Sequence, residues 1–394
     1  MSDWTRQFSL PDRAADESVF DTMVTAHGAA IASWLLDKHG EDVARASDGL
    51  VEFIRGWIGN GGASLVAWDI SFGRAHLALK EGKLDPVEAA VKVGLRISNS
   101  GYPGRWWARM PITSVQLDNM AVEDVSHVDV KGDPAQSTIK FQLVDGAKVE
   151  LRRDGEGPWT QEGGGCSKLE SVGKNRVIYL LSRRALPPDD RGGEIFRECQ
   201  PVGTITFEMA KSFNDGFDVL EKNAPQYVPW VERVLNGIVV CRTQAEYRLV
   251  SGSWEDVPGF VHMSSPHDGI DIAEILVHEC AHQYFYMLQR VGPVDDSTDR
   301  ELYWSPPIRK KRPLSRILMA YHALANVQIL YEAVRSNEAN ERRDIEYVRV
   351  NEPDLQAAIK ALDEPLRDNT ALTKLGRGLY QPLADRMRAL AVAV

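Results

Sequence analysis

Ile272-Ala273-Glu274-Ile275-Leu276-Val277-His278-Glu279-Cys280-Ala281-His282-Gln283-Tyr284-Phe285-Tyr286-Met287-Leu288 is the stretch that decides how this 394-residue chain is read. An α-helix turns once in about 3.6 residues, so positions four apart stand one above the other. His278 and His282 therefore present two imidazoles on one helical face, spaced for a single metal ion. Glu279 sits beside the first of them, where it can reach a metal-bound water. Apolar residues crowd both ends of the motif, as expected of a buried helix. Two histidines and a glutamate in such a setting are costly without partners. A surface helix with incidental histidines would not carry these flanks.

Two imidazoles do not hold a metal alone, and a third ligand must come from elsewhere. His322 lies in Ala320-Tyr321-His322-Ala323-Leu324, on a second long helix expected at 313–334. Packed antiparallel, that helix would bring His322 to the motif face. Taken by itself, a histidine on an apolar helix is more often a core residue. Here a site already lacks a ligand, so His322 is the expected third one. Glu301 is the alternative, at a downstream spacing used by one large class of zinc peptidases. His262 and His267, just upstream of the motif, read as loop residues.

Working outward, 271–290 is expected as the motif helix. It is preceded by helices at 208–222 and 228–235 and a short strand at 238–241. Helices at 355–366 and 372–394 close the chain. Residues 105–210 read as strand-rich. The alternation at 137–144 and 147–151 around Asp145-Gly146 signals a hairpin. Further strands are expected at 176–181 and 203–207. The polar stretch 154–174, with Gly163-Gly164-Gly165, reads as a mobile loop. Towards the N-terminus, helices are expected at 18–38, 41–58, 63–80 and 86–97, with a break near Tyr102. The fold class is therefore α+β, mainly helical with a strand-rich middle and a metal site between two long C-terminal helices. Three regions follow: a helical 1–102, a strand-rich 103–210 and a helical metal-binding 211–394.

Composition narrows the class. Hydrophobic residues make up 43% and charged residues 26% of the chain, as in ordinary globular proteins. The formal charge of −10 argues against general nucleic-acid binding. The start of the chain lacks the basic and apolar regions of a signal peptide, and no apolar run approaches the ~20 residues of a membrane span. Cys166, Cys199, Cys241 and Cys280 lie far apart and are expected as reduced thiols, which together with these absences suggests a cytoplasmic protein that does not enter a membrane.

Three segments together resemble a known family. They are Val257-Pro258-Gly259-Phe260-Val261-His262-Met263-Ser264, the helix Glu274–His282, and Tyr303-Trp304-Ser305-Pro306-Pro307-Ile308-Arg309-Lys310-Lys311-Arg312-Pro313-Leu314. They are similar to the HExxH-motif peptide-modification proteins found beside ribosomally made peptides. The similarity covers roughly residues 200–335. Pro307-Ile308 stands where the family has Trp-Arg, which shifts the first arginine by one position. The resemblance implies an iron(II) and alpha-ketoglutarate dependent peptide β-hydroxylase. His278, His282 and His322 would be ligands, and Arg312 or Arg309 would clamp the keto acid bidentately. Glu279 would orient water or substrate, and a precursor peptide would be the substrate. The Arg309–Arg312 run also reads equally well as a solvated basic face, or as a patch for an acidic leader peptide.

Two other readings stay open. In a zinc peptidase, the metal would acidify its water and Glu279 would act as general base. In a peptide-binding protein without catalysis, an open edge of the strand-rich region would pair with an extended chain.

Overall fold

The computed structural model describes residues 3–11, 17–61, 68–155, 157–162, 164–183, 200–242 and 249–392. It is 52% helical and 22% strand, an α+β protein. The N-terminal region is helical as expected, but its first break falls later. A single helix, Glu17–Ala46, runs through Gly40, where two helices were expected. A lone glycine in a helix costs only about 1 kcal/mol relative to alanine, too little to end it. The break comes at Gly49, with φ +76° and a missing Cβ that would lie 2.7 Å from the Arg105 carbonyl oxygen. Helices Leu50–Gly59, Ile70–Lys80 and Pro86–Asn99 follow. The expected start of the third at Ala63 lies outside the described residues. Asp85 caps the last one, its carboxylate accepting from the Val87 and Glu88 amides.

The first sheet is antiparallel. Long strands Gly104–Leu117 and Met120–Gly132 lead to Gln136–Leu143, Lys148–Asp154 and Thr160–Glu162, while Cys166–Lys168 returns to pair with Met120–Gly132. The expected hairpin is present, with Gly146 at φ +85° in its turn. Alternate residues such as Val128, Val130, Ile139, Phe141, Val149 and Leu151 point inward and are buried. The polar stretch expected as a loop carries three short strands instead, including Ser171–Val172. Pairing satisfies its backbone, and Trp159 anchors its start by donating to Asn99 Oδ1 at 2.6 Å. Gly163 and Cys199 lie outside the described residues.

The second sheet runs Ser251–Ser253, Phe260–Ser264, Gly237–Arg242, Ile178–Leu181, Ser171–Val172, and so takes strands from both sides of residue 210. Its three central strands are parallel. Gly237 to Cys241 are all buried, as in a parallel sheet covered on both faces. The strand expected at 203–207 is absent. Thr206 instead caps helix Phe207–Asn223, its hydroxyl accepting from the Met209 amide. His262 lies on strand Phe260–Ser264 rather than in a loop.

Helices complete the fold: Phe207–Asn223, Tyr227–Val234, the motif helix Gly269–Val291, the partner helix Leu314–Ser336, then Arg342–Asp363 and Lys374–Val392. The penultimate helix starts well before the expected residue 355 and contains Pro353. The partner helix is more apolar than foreseen. By length and composition it and Ser18–Ala46 could cross a membrane, but 83% of the apolar window of the partner helix is buried inside the fold. Motif and partner helices are joined by a hairpin, Tyr303–Ser305 with Lys310–Arg312, turning through Pro306–Ile308. The N-terminal segment reaches across the chain: Ser9 Oγ donates to the Leu379 carbonyl at 2.6 Å.

Candidate metal centre

The motif helix spans 23 residues and carries His278, Glu279 and His282 as the spacing requires. Its middle is locked in place by the residue that follows the motif. Gln283 is fully buried; its Oε1 accepts from the Gly259 amide at 3.0 Å and its Nε2 donates to the Phe260 carbonyl at 3.2 Å. The helix is thereby fastened to the Pro258-Gly259 turn, where Gly259 adopts φ +79°.

The rings of His278 and His282 stand 4.7 Å apart, nearly perpendicular at 86°. Both keep some exposed surface, yet His282 Nδ1 is buried and has no hydrogen-bond partner. Burial, and then the neighbouring His278, His322, Arg312 and Arg316, push the His282 pKa well below its ordinary value, so the ring is neutral. A neutral imidazole is the ligand form of histidine.

His322 is fully buried on the partner helix. Its Nε2 lies 2.9 Å from the Ser9 carbonyl oxygen. A carbonyl only accepts, so Nε2 carries the proton and Nδ1 bears the lone pair. That Nδ1 has no partner. Burial lowers the ring's pKa to about 4, with the carbonyls of Ser9, Phe8 and Ala281 opposing the shift. His322 lies near the other two rings, since it and His278 both contribute to the low pKa of His282. Among the described residues no group of three or more His, Cys, Asp or Glu side chains is placed to hold a metal ion. The Ser9 carbonyl takes one edge of the His322 ring and leaves the Nδ1 edge free. Glu301 is exposed, its amide donating to Asp299 Oδ1 in a surface turn.

Buried neutral histidines tie stability to pH. His322 and the partly buried His27 both have pKa values lowered from 6.5 to about 4, by burial above all. Their unfolded forms bind protons first, so the stability present above pH 6.5 is lost as pH falls towards 4. The expected loss is on the order of 3 kcal/mol per histidine. Urea unfolding between pH 7 and 4 should show it, and His27→Phe should flatten the slope. An identical slope in that variant would remove His27 from the account.

Glu279 is 3% exposed, and each of its oxygens accepts a hydroxyl hydrogen bond. Ser251 Oγ donates to Oε1 at 2.7 Å and Ser253 Oγ to Oε2 at 2.8 Å. Both serines lie on the edge strand, one residue apart from Gly252, so they point to the same face. Gly252 packs on the His262 ring, and a Cβ there would come within 2.5 Å of it. Ser251→Ala with Ser253→Ala would leave a buried carboxylate without donors, costing about 1–3 kcal/mol. A lower urea midpoint is expected. An unchanged one would mean that water replaces both hydroxyls.

Two arginines stand near His282. Arg312, at the end of the hairpin, and Arg316, in the first turns of the partner helix, both bear on its charge state. Desolvation and then Arg316 lower the Arg312 pKa. Neither arginine has a carboxylate partner among the described residues; Arg316 donates to Met319 Sδ at 3.4 Å. Tyr286 lies between these elements, 6% exposed, its ring 6.4 Å from that of His282. Burial pushes its pKa up to about 12. Arg309 is elsewhere, exposed at the hairpin turn with φ 50°. Arg316 was not foreseen, although it lies four residues beyond Arg312.

One helical turn before His278, the half-buried Glu274 accepts from the hydroxyls of Tyr331 and Tyr347, the latter at 2.9 Å. These bonds tie together the motif helix, the partner helix and Arg342–Asp363. Burial raises the Glu274 pKa, while the tyrosine hydrogen bonds and the nearby His278 lower it.

Neither a scan of protein-family models nor a search of curated proteins finds a match to the chain.

Proposed function

We propose that this chain is an iron(II) and alpha-ketoglutarate dependent oxygenase that hydroxylates a side chain of a ribosomally made precursor peptide. The observation that carries this reading is the pair Arg312 and Arg316. Two guanidiniums without carboxylates, close enough to repel, stand beside His282 of the imidazole pair. A dicarboxylate keto acid would relieve that repulsion and accept bidentate bonds from them. His278 and His282 fit an imidazole-bound transition metal, and the free lone pair on His322 Nδ1 is a third donor of the right kind. With iron and the keto acid bound, oxygen would supply one atom to the substrate C–H bond and one to the succinate released with carbon dioxide.

The chain's own groups suit this role better than hydrolysis. A zinc peptidase needs Glu279 as the base that takes a proton from water. Here both oxygens of Glu279 already accept serine hydrogen bonds, which suits it to fixing the edge strand over the motif. That strand borders the site and offers an extended peptide a pairing edge. The test supplies iron(II), keto acid, oxygen and candidate precursor peptides to the purified protein. Succinate release matched by gain of one oxygen atom in the peptide is expected. Zinc-dependent cleavage without keto-acid turnover would overturn the proposal.

A further inference from the structure

The hairpin of Tyr303–Ser305 with Lys310–Arg312 carries more charge than the co-substrate site uses. From Leu302 to Tyr331 the sequence has five arginines and lysines and no aspartate or glutamate, although the whole chain has a net charge of −10. Arg309, Lys310 and Lys311 are exposed at the turn and along the returning strand, and none forms an ion pair with a described residue. Surface cations elsewhere are paired, as Lys211 is with Asp215, Arg343 with Asp268 and Arg367 with Asp363. Three like charges in sequence repel one another, and among the described residues no carboxylate offsets that repulsion.

The two faces of the hairpin differ. Cross-strand partners share a face, so Trp304 stands beside Lys311, while Tyr303 with Arg312 and Ser305 with Lys310 belong to the other. Ser305 is buried and Tyr303 and Arg312 are half-buried, so that second face is turned towards the fold. Trp304, on the first, is 52% exposed. Its exposure does not come from a loose strand. Tyr303 Oη donates to Asp299 Oδ2 at 2.7 Å, and Asn369 Nδ2 donates to the same oxygen at 2.6 Å, which ties the hairpin to the segment after helix Arg342–Asp363. At the turn Ile308 is exposed, and Arg309 holds φ 50°, a left-handed conformation that glycine would take without strain. An anchored strand pair thus displays an indole among cations, and its inner end, Arg312, stands near His282.

We infer that the outer face and turn of this hairpin dock a short acidic segment of a peptide. Its carboxylates would pair with Lys311 on that face and with Arg309 and Lys310 around the turn, and an apolar side chain of the same segment would lie on Trp304. The strands have three residues each, about 10 Å, so the docked segment is a few residues long. A membrane or a nucleic acid is also negative, but it extends well beyond the patch and is repelled by the net charge of the chain. A short peptide meets the patch alone. The inference rests on the oxygenase reading only in making that peptide the substrate, with its acidic residues on the hairpin and its reacting residue at the imidazole pair.

Fluorescence anisotropy of the metal-free full chain tests this without turnover. The probe is fluorescein-Gly-Glu-Asp-Leu-Phe-Glu-Asp-Gly, and the control carries Gln and Asn in place of every acid. At low salt the probe should bind saturably and the control at least about tenfold more weakly, and salt at about 0.5 M should weaken the probe several-fold. Lys310→Glu combined with Lys311→Glu should weaken binding at least about tenfold, and Trp304→Ser several-fold. Arg309→Gly removes a cation while relieving the turn. That variant should resist urea as well as the native chain or better and still bind the probe several-fold more weakly, which separates lost docking from a lost fold. No binding of the probe to the native chain, equal binding of the control, or undiminished binding by the folded variants would overturn the inference. So would a native chain that binds vesicles of phosphatidylserine and phosphatidylcholine, or a single-stranded oligonucleotide, in preference to the probe. With no metal or keto acid present, a failed hydroxylation assay does not touch this result, and charge-independent binding of the probe leaves the oxygenase reading standing.

Discussion

His282→Ala is expected to abolish stoichiometric binding of iron(II), measured by equilibrium dialysis or by the absorption bands of cobalt(II) as a substitute. Loss of a hydrogen-bond partner behind a ligand already weakens metal affinity by about 10–100-fold. Loss of the ligand itself should cost at least about 100-fold. His278→Ala should behave alike, because the two rings lie 4.7 Å apart on one helical face. His322→Gln separates the third ligand from the fold. Its amide can still donate to the Ser9 carbonyl, which now accepts from both His322 and Asn326. If His322→Gln binds metal as tightly as the native chain, the third donor lies elsewhere. If neither His278→Ala nor His282→Ala changes metal uptake, the motif is not the metal site.

Removal of the arginine pair should have the next largest effect. Arg312→Ala and Arg316→Ala should each raise the keto-acid concentration for half-maximal turnover by about 30-fold or more. Truncating one side of a buried charge pair typically costs about 2–5 kcal/mol, because the other charge is left unpaired. Metal binding should persist. Arg309→Ala should change little, since Arg309 is exposed at the hairpin turn. Glu279→Gln is the informative control. In the oxygenase it keeps most turnover, whereas in a zinc peptidase it removes the base and ends activity. Keto-acid dependence that survives loss of both Arg312 and Arg316 would place the co-substrate elsewhere.

The parts of this site that lie on long periodic helices were legible in the sequence. Residues 271–290 and 313–334 announce themselves through apolar flanks and spacing, and both helices stand nearly where expected. What escaped was set by contacts distant in the chain. Ser251-Gly252-Ser253 has no β-branched or aromatic residue to mark a strand. It pairs because Gly252 lets the backbone lie against His262. Arg316 looked like one more polar residue at a helix start, and its closeness to His282 depends on how the hairpin turns the partner helix. His322 was found as a buried histidine of the right helix, but the Ser9 carbonyl that engages it lies 313 residues away. No local pattern carries such a pairing. Gly40 and Thr206 show the opposite error, where local signals were given too much or too little weight against the surrounding structure.

That contact with Ser9 also bears on the order in which the protein can be finished. One backbone carbonyl near the start of the chain accepts from His322 and Asn326, while the hydroxyl of the same residue donates to Leu379. On a ribosome, which delivers the N-terminus first, Ser9 must wait through most of synthesis before its partners emerge. The motif helix is made before the partner helix that packs against it, and both precede the Leu379 carbonyl that Ser9 also engages. Those contacts can close only once residues near 379 have been made, and they draw segments from both ends of the described chain into one core.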